Sequence, residues 1–307
     1  MSNCPRSRAK QASRRQFLGT ALGAAAASAV LPSSLQAAKR SATDWVTLGN
    51  SGVKVTRLAF GTGTNGGRVQ RELGQKEFTR LVRHAYDRGI RFFESADNYD
   101  QMHEMLAEAL RGIPRENYRL MTKLRWRDGD RPGYNLNAEI DRFRKELNSD
   151  YFDIFLLHNV QSPTWPIDLE RLRDGLSEAK HKQIIRSHGC SGHGLLPIRA
   201  YPGNKWIDVA LMRCNHDGTR MDNLRNSTNE KGVISEVLPI MEKVHAQGAG
   251  ILGMKIMGEG AFKTPEQREA SVQHVIKNTK VQAMTIGFKS TAEIDEAIER
   301  IDRALNA

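Results

Sequence analysis

Five side chains between positions 94 and 158 combine types that can do chemistry. Glu94, Asp97 and Tyr99 lie close together, and Lys123 and His158 follow at the ends of later apolar runs. A phenol, an ammonium, an imidazole and carboxylates are groups that donate, accept and hold protons, the equipment of general acid–base work. Taken singly, each has a plain alternative: Tyr99 as a half-buried packing residue, Lys123 as a solvated strand end, His158 as a satisfied core histidine. A second set, Cys190 and His193 with Cys214, His216 and Asp217, joins His158 in offering zinc-type ligands. No Cys-x-x-Cys or His-x-x-x-His spacing supports that set, so the expectation is two buried free thiols and no metal.

Such side chains need a frame that makes them converge. From Thr56 onward the chain alternates short apolar runs with longer helical patterns. Candidate strands are Arg57–Thr62, Arg91–Ser95, Tyr118–Leu124, Phe152–His158, Ile185–Ser191, Ile207–Asn215, Ile251–Met257 and Ala283–Phe288. Between them the 3.6-residue period recurs. Phe78, Leu81, Val82 and Ala85 fall on one helical face, and Gly89 stands where that helix should stop. Ile294, Ala297, Ile298, Ile301 and Leu305 repeat the spacing at the end of the chain. Asp153–Leu157 and Asp208–Met212 are apolar at consecutive positions, as in strands covered on both faces of a parallel sheet. Strand–helix units repeated eight times imply an α/β fold of the (β/α)8 TIM barrel type, one domain, with chemistry at the C-terminal strand ends. There Glu94, Asp97 and Tyr99 follow the second strand, Lys123 ends the third and His158 the fourth. His103, on the helix after them, is expected at the surface. Gly61-Thr62-Gly63-Thr64 breaks the Gly-x-Gly-x-x-Gly pattern of a Rossmann site. The polar stretch Asn215–Gly232 reads as a long loop at the barrel mouth.

The 307 residues carry a formal charge of +11. Five of those charges, Arg6, Arg8, Lys10, Arg14 and Arg15, sit in residues 1–38 without an acid, leaving +6 for the rest. No basic run is interleaved with aromatics, so nucleic-acid binding is not expected. Ser13-Arg14-Arg15-Gln16-Phe17-Leu18, an apolar stretch to Leu31 and the small residues Ala37 and Ala38 form a twin-arginine signal with a cleavage site. That pattern resembles substrates of the Tat translocon, which exports folded proteins. It implies residues 1–38 as a cleaved signal, 39–307 as the barrel, no stable transmembrane segment in the mature protein, and a periplasmic or secreted location. The location becomes cytoplasmic if the signal is not used.

Six segments in order resemble the aldo-keto reductase family along nearly all of the mature chain. They are Leu48 to Leu58 with Phe60-Gly61-Thr62-Gly63, then Gly89 to Tyr99, Met121-Thr122-Lys123, Leu156-Leu157-His158, Gly189-Cys190-Ser191 and Ile286-Gly287-Phe288-Lys289-Ser290. The resemblance implies hydride transfer between NADP(H), with NAD(H) not excluded, and a small carbonyl or alcohol substrate. Tyr99 would be the proton donor and acceptor. Lys123, within hydrogen-bonding reach of the phenol, would lower its pKa. Glu94 would hold Lys123, and His158 would orient the substrate oxygen. Ser191, Asn215, Lys289 and Ser290 would contact the cofactor, and Lys255, ending the seventh strand, would face its pyrophosphate.

Four departures accompany the likeness. Glu94 stands where the family usually has Asp, so its extra methylene needs a shifted backbone or another rotamer, with Asp97 as a possible substitute. Gly192 replaces an Asn after Ser191, and Leu211 or Met212 replaces a Gln on the sixth strand. The Arg that usually follows the Lys289-Ser290 pair is absent. A non-enzymatic nucleotide-binding or redox-sensing barrel is the rival reading, with a metal-dependent hydrolase using Glu94, Asp97, His158 and His193 behind it. Substrate choice should lie in the mouth loops, including Trp126, Tyr134 and Trp165.

Overall fold

A helix forms where one face can be buried, and α2 (Gly74–Asp87) buries Phe78, Leu81, Val82 and Ala85. It stops where Gly89 takes a φ of +96°, a conformation an L side chain resists. The last helix, α10 (Thr291–Asn306), starts on the Ser290 hydroxyl, which accepts from the Glu293 N–H, and buries Ile294, Ala297, Ile298 and Ile301. The computed structural model describes Met1, residues 39–125 and residues 133–307. The twin-arginine segment and Trp126 lie outside the described residues.

Residues Lys39–Ala307 form one unit. An antiparallel hairpin, β1 (Trp45–Thr47) and β2 (Lys54–Thr56), precedes the barrel strands β3 (Leu58–Gly61), β4 (Phe92–Glu94), β5 (Arg119–Arg125) and β6 (Phe152–Val160). Then come β7 (Ile185–Gly192), β8 (Val209–Arg213), β9 (Gly250–Met254) and β10 (Ala283–Gly287). The eight strands from β3 to β10 are parallel and close with β10 against β3. The fold is therefore an α/β (β/α)8 TIM barrel. Every expected strand is present, shifted by no more than three residues at its ends. Helices between them are α1 (Arg68–Arg71), α2, α3 (Met102–Leu110), α4 (Leu136–Glu146), α5 (Trp165–Asp168), α6 (Glu170–His181), α7 (Leu195–Ile198), α8 (Ile234–Ala246) and α9 (Pro265–Asn278).

Alternation along each strand sorts side chains into two cores. Ala59, Phe92, Met121, Ile154, Leu156, Val209, Leu211 and Leu252 fill the barrel, floored by Leu48, Val53 and Val55 of the hairpin. Their neighbours, such as Phe60, Phe93, Phe155 and Met212, pack outward against the helices. Continuing the inward phase to the C-terminal strand ends brings up Glu94, Lys123, His158, Ser191 and Arg213. The hairpin was not among the expected strands, because three-residue strands give no usable period.

His103 is buried, contrary to the surface position expected of it: its ring nitrogens meet Glu146 Oε2 and Thr122 Oγ1, each at 2.8 Å. It faces the barrel wall because α3 packs that side inward with Met102 and Leu106. Trp165 is wholly buried, and its indole donates to the Pro197 carbonyl at 3.1 Å, so it packs the rim. Asn215–Gly232 is a loop, as expected.

Gly189, paired with Val209 on the neighbouring strand, has no room for a methyl: a Cβ there would overlap the Val209 carbonyl. Gly189→Ala should therefore lower unfolding stability by about 1–3 kcal/mol through overpacking, measured by urea denaturation. An unchanged midpoint would contradict the close approach of β7 and β8.

Candidate active site

Glu94 and Lys123 meet inside the barrel, 4% and 1% exposed, where neither charge can be left alone. The Lys123 ammonium donates to Glu94 Oε1 and, at 2.7 Å, to the Ser95 carbonyl. The other carboxylate oxygen accepts from the Thr285 hydroxyl at 3.1 Å. The longer Glu side chain fits because Gly61, its register partner on β3, carries no side chain. A Cβ at Gly61 would sit 2.5 Å from Thr285 Oγ1 and 3.0 Å from Glu94 Oε2. So Glu94 reaches Lys123 directly. Asp97 is not its substitute: its Oδ2 accepts from the Arg125 N–H at 2.8 Å, and its Oδ1 lies 3.9 Å from His158 Nδ1, too far for a hydrogen bond.

Tyr99 lies just past β4, half-buried, at the wall of a cavity of about 480 Å³ that opens between the ends of β3, β9 and β10. Gly63 makes room for it, since a Cβ there would come within 2.5 Å of the phenol oxygen. Lys123 does not hydrogen-bond that oxygen as expected. Its bonds go to Glu94 and Ser95, and its Nζ lies 4.8 Å from the centre of the Tyr99 ring. The phenol pKa is accordingly held well above 10, by burial first and then by the nearby carboxylates of Glu94, Glu259 and Asp97. The group is protonated at neutral pH. The Lys123 pKa is lowered, because burial outweighs the attraction of Glu94. The His158 ring stands edge to face with Tyr99 at 5.6 Å, and burial lowers its pKa too, leaving a neutral imidazole.

The residues expected to hold a cofactor divide into three groups. Lys255 and Lys289 line the cavity, together with Gly61, Gly287 and Leu211. Lys255 is already paired with Glu259 at 2.5 Å, and Glu259 also accepts from the Asn65 N–H at 3.3 Å. Ser191 is fully buried beside His158, and its hydroxyl has no hydrogen-bond partner among the described residues. Asn215 and Ser290 serve local structure instead. The Asn215 amide donates to Thr219 and Lys255 carbonyls, and the Ser290 hydroxyl caps α10. Leu211, not Met212, is the apolar residue facing the cavity, because Met212 points outward into the helix layer.

In size and donors the groove fits a nicotinamide dinucleotide. Its volume is that of a small-molecule site, and its walls carry Lys255, Lys263, Arg268 and Lys289. The zinc-type set does not converge. Cys190 and Cys214 pack into the outer core while His158 points inward, and burial pushes both thiols up to about 12. Sequence reasoning gave no role to Arg213, an inward cation on β8 paired with Asp222 at 3.2 Å. Its signal was a charge at an inward position of a strand otherwise apolar.

Removing the cation strands its partner. Lys123→Met should cost about 3–5 kcal/mol of stability, and Glu94→Gln with Lys123→Met should recover part of that loss in thermal unfolding. Equal losses in single and double variants would rule the pairing out. His158 and His193 both have pKa values depressed by burial. The unfolded chain therefore binds protons first, so stability is full above an unfolded value near ~6.5 and falls as pH drops below it. Unfolding midpoints measured from pH 8 to pH 5 should decline, and a flat profile would contradict neutral, buried rings.

Among known proteins, residues 57–306 match the Aldo/keto reductase family. The L-galactose dehydrogenase of Arabidopsis thaliana is 25% identical over 296 residues, covering 83% of this chain and 86% of the relative. Two solved structures share the fold. An aldo-keto reductase from Bacillus halodurans in its holo form has a TM-score of 0.64 at 19% identity, covering 86% of this chain and 91% of that one. One from Klebsiella pneumoniae in complex with NADPH has a TM-score of 0.64 at 14% identity, covering 86% and 90%. A match spanning the whole barrel, on a chain whose strand ends gather Glu94, Tyr99, Lys123 and His158, places this protein in the aldo/keto reductase family of NAD(P)-dependent oxidoreductases.

Proposed function

We propose that the protein interconverts a small carbonyl compound and its alcohol, with Tyr99 as the proton-transferring group and NADP(H), or else NAD(H), as hydride carrier. The observation that carries this reading is the protonated Tyr99 phenol at the cavity wall, beside the buried Lys123 cation and the neutral His158 ring. A bound nicotinamide would supply the hydride in reduction and accept it in oxidation.

The chain's own groups account for the proton. In reduction Tyr99 donates its phenolic proton to the oxygen of the carbonyl, and its raised pKa keeps that proton in place until the oxygen becomes basic. The phenolate left behind is stabilised by the Lys123 ammonium above its ring plane. Glu94 keeps that ammonium fixed, with Thr285 fixing Glu94 in turn. His158, neutral and next to Tyr99, donates to the substrate oxygen and orients it. Oxidation runs the same path backwards. Lys255 and Lys289 would hold the dinucleotide, with Glu259 yielding Lys255 to it.

In the same reading Ser13 to Leu18 directs residues 1–38 through the Tat translocon, and residues 39–307 work in the periplasm or outside the cell. Folded export suits a protein that keeps its nucleotide bound.

Tyr99→Phe is the direct test. It should lower aldehyde-dependent NADPH or NADH oxidation by about 10²–10⁴-fold while nucleotide affinity stays within a few-fold. Undiminished turnover in the variant would remove Tyr99 from the reaction.

A further inference from the structure

Beside the proton-transfer centre, on the side of β6, β7 and β8, a group of buried polar atoms has no partner among the described residues. They are His158 Nδ1, Ser191 Oγ, His193 Nε2, Arg213 Nε and Asp222 Oδ2. The atoms are spatially linked. The Tyr99 and His158 rings are 5.6 Å apart, and the His158 and His193 rings 6.0 Å. The Gly194 N–H, next to His193, donates to Asp222 Oδ1 at 2.8 Å, and Asp222 Oδ1 lies 3.2 Å from an Arg213 terminal nitrogen. The side chains of Arg213 and Asp222 are 8% and 0% exposed. Arg213 also donates to Asn226 at 3.0 Å, which ties the pair to the mouth loop.

Polar groups buried without partners are rare because each forfeits its hydrogen bond to water, so five together next to a reacting centre ask for a ligand. Their chemistry narrows what it is. Arg213 and Asp222 cancel in charge, and burial keeps His193 neutral, so a carboxylate or phosphate finds no spare cation. The atoms mix donors with acceptors: a guanidinium Nε–H only donates, a carboxylate oxygen only accepts, and the hydroxyl and imidazoles do either. Hydroxyl groups match such a mixture, since each both donates and accepts. An alkyl chain would leave all five atoms desolvated and unpaired.

We propose that His193, Arg213 and Asp222 form a recognition subsite, continuous with His158 and Ser191, for a substrate bearing neutral hydroxyl groups next to its reacting carbonyl. This rests on the hydride-transfer reading for the identity of the reacting group, while the subsite itself rests on the unpartnered atoms. The residues act on substrate choice and carry no proton in the reaction.

The test compares glyceraldehyde with propanal, which has the same carbon chain without the two hydroxyls. The wild-type protein should prefer glyceraldehyde in kcat/KM by at least about 100-fold, because a site built to bond hydroxyls rejects analogues lacking them. That ratio should fall at least about tenfold in His193→Leu and in Asp222→Asn, the second keeping side-chain shape should the first not fold. A ratio near one in the wild type, or the same ratio in both variants, overturns the proposal and leaves these atoms to ordered water. Calorimetric titration of xylitol needs no turnover and separates the two readings. Should neither aldehyde be reduced, the hydride-transfer reading fails. Xylitol binding that is lost in the variants would then still support the subsite, and its absence in the wild type would overturn it.

Discussion

A buried ion pair has to be right or it is ruinous, and Glu94 with Lys123 is the pair on which this site is built. Two charges withdrawn from water inside a barrel are tolerable only when each finds its partner and its remaining hydrogen bonds. Here the carboxylate uses both oxygens, one on the ammonium and one on Thr285, and the ammonium adds the Ser95 carbonyl. That requirement fixes three strand ends relative to one another. It also sets the electrostatics of Tyr99, which feels the carboxylate as a force raising its pKa and the ammonium as a cation beside its ring.

The longer carboxylate is accommodated from across the sheet rather than along its own strand. Gly61 leaves the space that the extra methylene of Glu94 needs, and Gly63 leaves the space that Tyr99 needs. Both glycines belong to the end of β3 and the turn after it, so one short segment clears the site for two functional side chains. The mouth is arranged by a comparable economy: the Asn215 amide braces its own loop against Lys255, and Glu259 joins Lys255 to the β3 end through Asn65.

The fold was legible in the sequence because its signals are long-range and redundant. Eight apolar runs and the helical faces of Phe78–Ala85 and Ile294–Leu305 each point to the same architecture. Tyr99, Lys123 and His158 were legible as strand-end residues, and alternation along β4, β5 and β6 then requires Glu94, Lys123 and His158 to share the interior. What the sequence hid were relations between distant positions. Nothing local says that Gly61 makes room for Glu94, or that Lys123 spends its hydrogen bonds on Glu94 and Ser95 and meets Tyr99 through the ring. Ser290 and Asn215 illustrate the converse. Both have residue types suited to a ligand, yet a helix N-terminus and a long loop make stronger local demands on them. Arg213 escaped notice because a charge at the end of an apolar run resembles a solvated terminus until the barrel closes around it.

The account stands or falls on whether the groove beside Tyr99 takes a nicotinamide dinucleotide. Calorimetric titration of NADPH and of NADH into the full chain measures this without assuming any substrate. The account predicts saturable one-to-one binding of at least one of them, weakened when Lys255 is replaced by Met. Absence of binding by both nucleotides would contradict it, leaving the barrel intact but its hydride chemistry without a carrier.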